Sequence, residues 1–88
     1  MPKDQTDLAA ALKDAKARVR IGGEYAHYKD VTKRYTVENV AINVDTDEPC
    51  VVYRARYGER LLFARSLAEW CDVVEKDGKK MSRFTLVV

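Results

Sequence analysis

Apolar and polar positions alternate at period two in three stretches of this chain: Gly23-Glu24-Tyr25-Ala26-His27-Tyr28-Lys29, Val51-Val52-Tyr53-Arg54-Ala55-Arg56-Tyr57-Gly58 and Arg83-Phe84-Thr85-Leu86-Val87-Val88. Alternation sends neighbouring side chains to opposite faces of a half-buried strand, so all three predict β structure. In the clearest of them, Cys50 to Tyr57, the pattern puts Val51, Tyr53, Ala55 and Tyr57 on one face and Val52, Arg54 and Arg56 on the other. In the last, Phe84, Leu86 and Val88 point inward. The N-terminal pattern is different. Leu8, Ala11, Leu12, Ala15 and Val19 recur at helical spacing, which predicts an amphipathic helix from Asp7 to Val19 with Thr6 as N-cap and Gly22-Gly23 as its stop. A helix this short is marginal alone, so its Leu/Ala stripe must dock on the rest of the fold.

Between these segments the punctuation is local. Glu24 to Tyr28 reads as a strand and residues 29–34 as a polar connection. A second strand runs from Tyr35 to Val44. Its apolar phase shifts from Tyr35/Val37 to Val40/Ile42/Val44, which predicts a β-bulge around Glu38-Asn39. Asp45 to Pro49 reads as a loop, because Asp and Thr bond local backbone and proline cannot join a central ladder. Tyr57-Gly58-Glu59-Arg60 turns the chain into a strand over residues 61–65. Ser66-Leu67-Ala68-Glu69 is a capping box that starts a helical turn through Trp70 and Cys71. Residues 72–76 are extended again, and Asp77-Gly78 marks a turn before the closing strand.

The count is about five short strands and one longer helix. That predicts a mainly β protein: a small SH3-type barrel roll of antiparallel strands, with an OB-type barrel as the second choice, since a sandwich needs about seven strands. Residues 1–20 form a helical extension packed on the barrel, and residues 21–88 form the barrel domain.

Composition narrows the function more than it defines it. At 88 residues the chain holds one domain, and 47% apolar with 34% charged residues describes an ordinary folded one. A formal charge of +2 is too small to make nucleic acid the default partner. The N-terminus lacks the apolar run of a signal peptide or membrane span, so the expectation is a cytoplasmic protein with no membrane contact. Cys50 and Cys71 are too few for a disulfide framework and read as small core residues. No cofactor or metal is expected: the single His27 cannot complete a cysteine site, and Asp45-Thr46-Asp47 lacks the glycine of a calcium loop.

The same segments carry a resemblance. Gly23, Tyr25, His27, Tyr28 and Lys29, then Thr46, Val51, Val52, Tyr53, Arg54, Tyr57 and Gly58, then Arg65, Trp70, Gly78, Arg83 and Phe84 resemble, in order and spacing, a bacterial family known as domain of unknown function 1653. The likeness covers residues 21–88. Ser66 stands where the family usually has proline, and Asn43 where it commonly has histidine. The resemblance implies an SH3-type roll and supplies no activity.

Candidate chemistry is sparse. His27 is the one residue that titrates near neutrality, and no nucleophile elbow, phosphate loop or zinc motif accompanies it, so no enzyme is expected. Five tyrosines are many for so small a core, and not every hydroxyl can be buried with a partner. Rings displayed beside arginines would make an aromatic–basic face that docks a peptide or stacks bases. The expectation is therefore a non-enzymatic interaction module that binds a protein or peptide segment, or nucleic acid, through Tyr28, Arg54, Tyr57 and Arg65. The alternative is a small-molecule anion or catalytic pocket around His27, with Tyr28, Trp70 and Arg83. The chain is expected to be a monomer or a weak homodimer, associating through a sheet edge or the N-terminal helix.

Overall fold

Helix α1 spans Gln5–Arg18 in the computed structural model, which describes residues 4–87. Its N-cap is Asp4, not Thr6: the Asp4 carboxylate accepts the Asp7 N–H at 2.9 Å, and a charged acceptor at the first turn also meets the helix dipole. The stripe faces inward as its spacing requires. Leu8, Ala11 and Leu12 are half-buried, and Ala15 and Val19 are fully buried against β2 and β3.

Seven strands follow: β1 (Glu24–His27), β2 (Asp30–Asn43), β3 (Glu48–Ala55), β4 (Leu62–Ser66), β5 (Val73–Lys76), β6 (Lys79–Ser82) and β7 (Phe84–Val87). A one-turn helix, α2 (Leu67–Trp70), separates β4 from β5. Strands β4-β3-β2-β1-β7 form one antiparallel sheet in that order, and β5-β6 form a separate hairpin. The protein is thus mainly β with an N-terminal helix. Among the described residues β4 and β7 are edges that share no ladder, so the sheet is open. No helix among them is long and apolar enough to cross a membrane.

Several boundaries move, each for a local reason. Strand β2 starts at Asp30, not Tyr35, because the β1–β2 turn is only Tyr28-Lys29 and the exposed stretch that looks like a connection pairs back onto β1. The expected bulge is present: Val37 faces Tyr53 and Asn39 faces Val52, leaving Glu38 extra. Val44 lies past the end of β2 and is exposed. Pro49 belongs to β3 opposite Ile42, where a loop is expected. It lies beyond the end of β4, so a missing N–H on that flank breaks no ladder bond. β3 ends at Ala55, which leaves Tyr57 in the turn and exposed. Strand β6 carries Lys79-Lys80-Met81-Ser82, whose polar pattern gives no strand signal. Asp77 and Gly78 both adopt positive φ in the turn before it. Leu86 sits exposed over Gly23, where an added Cβ would meet its Cδ1 at 3.0 Å. Val88, also expected inward, lies outside the described residues.

The core centres on aromatic rings. Trp70 stacks on Phe84 at 3.8 Å with the planes 8° apart, and Tyr25 and Tyr53 meet Trp70 edge-on at 5.2 and 5.0 Å. The Tyr25 hydroxyl accepts the Arg20 N–H at 3.0 Å, which satisfies it in the interior. Val37, Val40 and Val51 fill the space under α1. The cap expected at Ser66 is present, with Ser66 Oγ accepting the Glu69 N–H at 3.2 Å, while the Glu69 carboxylate accepts from Arg65.

Two substitutions separate these contributions. Ser66→Ala removes one cap acceptor and should cost about 1 kcal/mol, lowering the melting temperature by roughly 4–8 °C. Trp70→Ala should cost about 3–5 kcal/mol, comparable to the whole stability of so small a domain. Circular dichroism melts of both variants check this; a Trp70→Ala protein as stable as the parent contradicts the assigned core.

Candidate functional site

Register decides which of the candidate residues can meet. Directly paired residues of antiparallel strands share a face. Val51 pairs with Arg65 and Tyr53 with Phe63, so Arg65 and Phe63 belong to the inner face with the core. Arg54 pairs with Thr36 and Leu62 on the opposite face. There the Arg54 guanidinium donates to the Arg60 carbonyl at 2.9 Å. Glu24, on the same outer face, holds Arg34 and Arg56 at 3.1 and 3.0 Å. Arg54 and Arg65, read from the sequence as parts of one binding face, therefore lie on different sides of the sheet.

The inner-face residues gather at the seam between edges β4 and β7. β1 pairs His27 with Phe84, and its ring lies 5.0 Å from Phe84, 4.9 Å from Tyr28 and 6.4 Å from Tyr35. His27 Nδ1 accepts the Lys29 N–H at 3.1 Å, which places the proton of the neutral ring on Nε2. Burial holds the His27 pKa below its ordinary 6.5, and the charges of Arg65, Arg83 and Lys29 depress it further.

Helix α2 anchors both arginines through one residue. The Glu69 carboxylate accepts from Arg65 Nη1 at 3.1 Å, and the Glu69 backbone carbonyl accepts from Arg83 Nε at 3.0 Å. Arg83 also leans on Asp72, 3.8 Å away, and its guanidinium carbon sits 6.0 Å from the Tyr28 ring centroid. Arg65 Nε is shielded from water and has no hydrogen-bond partner. The groove beside the seam, about 380 Å³, is lined by Cys50, Arg65, Ser66 and Glu69 but not by His27.

The tyrosines divide by depth. Tyr25 and Tyr53 are buried, Tyr28 and Tyr35 half-buried, and Tyr57 exposed. Tyr57 and Tyr35 share a hydrogen bond between hydroxyls at 2.7 Å, and burial followed by that bond pushes the Tyr35 pKa well up. Lys33 Nζ stands 5.1 Å from the Tyr57 ring. Of the six sequence-derived candidates, the structure brings His27, Tyr28, Arg65 and Arg83 together, sets Tyr57 one ring away beyond Tyr35, and puts Arg54 on the other face. Trp70 is core beneath the seam. Sequence reasoning missed Glu69 as the brace and Phe63 as a displayed ring, 40% exposed and 5.7 Å from Tyr53. The capping box already placed Glu69 four residues after Arg65, the spacing of a helical ion pair, and that signal was available.

A small, mainly β protein with an open, helix-capped antiparallel sheet and an aromatic–basic seam is the class these features define. The chain belongs to the family described as protein of unknown function DUF1653, whose sequence profile matches residues 23–86. It is similar to a DUF1653 protein from Bordetella bronchiseptica known by crystal structure, with 30% identity and a TM-score of 0.70 over 88% of this chain and 92% of that one. No curated protein matches the chain.

The depressed His27 pKa has a definite sign. Above pH 6.5 the imidazole is neutral in both the folded and unfolded chain. As pH falls below 6.5 the unfolded chain takes up a proton that the folded chain resists, so this contribution to stability is lost between 6.5 and the lower folded value. Urea midpoints should therefore fall from pH 7.5 to 5.5, and the fall should flatten in His27→Gln. An identical pH slope in the variant contradicts the assignment.

Proposed function

We propose that this chain is a non-enzymatic interaction module that binds a protein segment at the seam between β4 and β7. The observation that carries this reading is the gathering of Tyr28, Phe63, His27, Arg65 and Arg83 around the aromatic core, with rings half-buried or exposed and cations beside them. Rings that are rigid and partly wet give contact area at low entropic cost, and arginines at their rim add directional donors.

The finer fold reading supports that use. The order β4-β3-β2-β1-β7, a long bulged β2 and a helical turn before the last strand fit an SH3-type roll, an architecture that docks extended segments on aromatic faces. A protein segment suits the seam better than nucleic acid does. Arg65 and Arg83 each face a carboxylate of their own chain, Arg34 and Arg56 share Glu24, and the net charge is only +2. Binding a polyphosphate backbone needs cations free to displace counterions. A second reading, a small anion held at His27, is favoured by the Arg65 and Arg83 guanidinium charges, which add to burial in lowering its basicity.

Amide chemical-shift mapping against a peptide array and mixed oligonucleotides, at about 50 and 200 mM salt, separates the partners. Peptides should move resonances of His27, Tyr28, Phe63, Arg65 and Arg83 with little change between the two salt levels. Oligonucleotide shifts that collapse at the higher salt would replace protein by nucleic acid as the partner, and an unperturbed seam with every ligand would end the reading.

A further inference from the structure

Donors from three residues at the seam lack an acceptor, and the charge around them is incompletely balanced. With Nδ1 engaged by the Lys29 N–H, the neutral His27 ring presents Nε2–H, and no protein acceptor among the described residues meets it. Arg83 commits Nε to the Glu69 carbonyl and leans Nη2 on Asp72 at 3.8 Å, a separation too long for a strong charge-assisted bond, while Nη1 is uncommitted. From the β4 side, Arg65 Nη1 reaches the Glu69 carboxylate, while its Nε lies out of reach of water without an acceptor, the kind of buried polar atom that marks an incomplete site.

Accepting the interaction-module reading, we infer that the seam holds a carboxylate carried by the partner segment, with His27 Nε2–H and the Arg83 guanidinium as its donors and Arg65 supplying further positive charge. A carboxylate fits better than a phosphate group for two reasons. Its two oxygens can take one donor from each residue. Glu69 and Asp72 already offset much of the charge of Arg65 and Arg83, so the uncompensated charge suits a monoanion. The groups acting on His27 come from every side of the seam: Lys29 from the β1–β2 turn, Arg65 from β4, Arg83 at the start of β7, the Tyr35 ring from β2 and Phe84 beneath it. A bound carboxylate adds a negative charge beside His27 that favours the imidazolium form, and this outweighs the Lys29 N–H bond that Nδ1 accepts only when unprotonated. Binding and protonation of His27 are then linked, and affinity rises as pH falls toward the range in which His27 takes up its proton, which lies below 6.5 in the free chain.

Benzoate tests this, with benzyl alcohol as its uncharged counterpart and inorganic phosphate as the other anion, each titrated into the labelled protein at pH 7.5 and 6.0. Benzoate should shift the amides of His27, Lys29, Arg65 and Arg83, move the His27 titration midpoint upward, and bind more tightly at pH 6.0. Arg83→Gln should weaken benzoate roughly tenfold, the loss of one hydrogen bond to a charged group. Arg54→Gln, on the opposite face, should change nothing. Because Arg83 also braces Glu69, His27→Gln serves as a second variant; it should remove the pH dependence, and circular dichroism checks that both variants fold. Equal shifts from benzyl alcohol, tighter binding of phosphate, or an unmoved His27 midpoint would each overturn the carboxylate. Peptides that still map to Tyr28 and Phe63 in Arg83→Gln with undiminished affinity would remove the carboxylate seat while leaving the module standing.

Discussion

The stacked rings of Trp70 and Phe84 hold this structure in its shape. β4 and β7 lie at opposite ends of the sheet order and exchange no ladder hydrogen bonds. Yet Trp70 leaves the end of β4 on α2, Phe84 opens β7, and the two rings lie 3.8 Å apart and nearly parallel. A buried aromatic contact therefore links α2, which directly follows β4, to β7, with Tyr53 and Tyr25 wedged edge-on against the pair. A contact of this kind is non-directional compared with a strand ladder. It ties α2 to β7 with no strand ladder between the two edges among the described residues, so the sheet stays open.

The site inherits its geometry from that contact through a single turn of helix. Ser66 caps α2, which fixes where Glu69 falls. Glu69 then holds Arg65 by its carboxylate and Arg83 by its carbonyl, one from each side of the seam. Backbone bonds from Tyr28 N–H to the Arg83 carbonyl and from Arg83 N–H to the Asp72 carbonyl, both 3.0 Å, tie the β1 end and the β5–β6 hairpin to the same point. Two guanidinium groups that would otherwise repel are thus kept near one imidazole, where their charges add to burial in lowering the basicity of His27.

What could be read from the chain alone follows from how local each signal is. The bulge at Glu38 was legible because a one-residue slip flips the apolar phase of β2, and the cap at Ser66 because its partner is three residues away. The inward set Val51, Tyr53 and Ala55 was legible from alternation. The outer half of β2 and the whole of β6 were not, since both lie beyond the core, are exposed, and need no apolar face. Pro49 misled because its strand is central along most of its length but open where the proline sits. Arg54 and Arg65 were grouped wrongly for a deeper reason. Alternation says which residues within one strand share a face, whereas only the β3–β4 register, Val51 against Arg65, says how two strands agree. That register depends on a six-residue connection, 56–61, whose length no periodicity specifies. The resemblance to the DUF1653 family was legible throughout because its marks are the same strand residues.

Uneven coverage of the inner face explains why the seam has a surface at all. Helix α1 lays Ala15 and Val19 over Val37, Val40 and Val51, and there the interior is aliphatic and dry. Among the described residues no second helix of comparable length covers the β1–β7 side, and α2 buries Leu67 and Trp70. The inner-face positions left over, His27, Tyr35, Phe63 and Arg65, must tolerate partial solvation. Aromatic side chains with polar tips and a long-stemmed arginine meet that demand at less cost than aliphatic residues would. The aromatic–basic character of the seam is thus first a solution to a small core that cannot cover its own sheet. Its exposure follows from the same shortage, because the chain leaves those inner-face rings only partly covered.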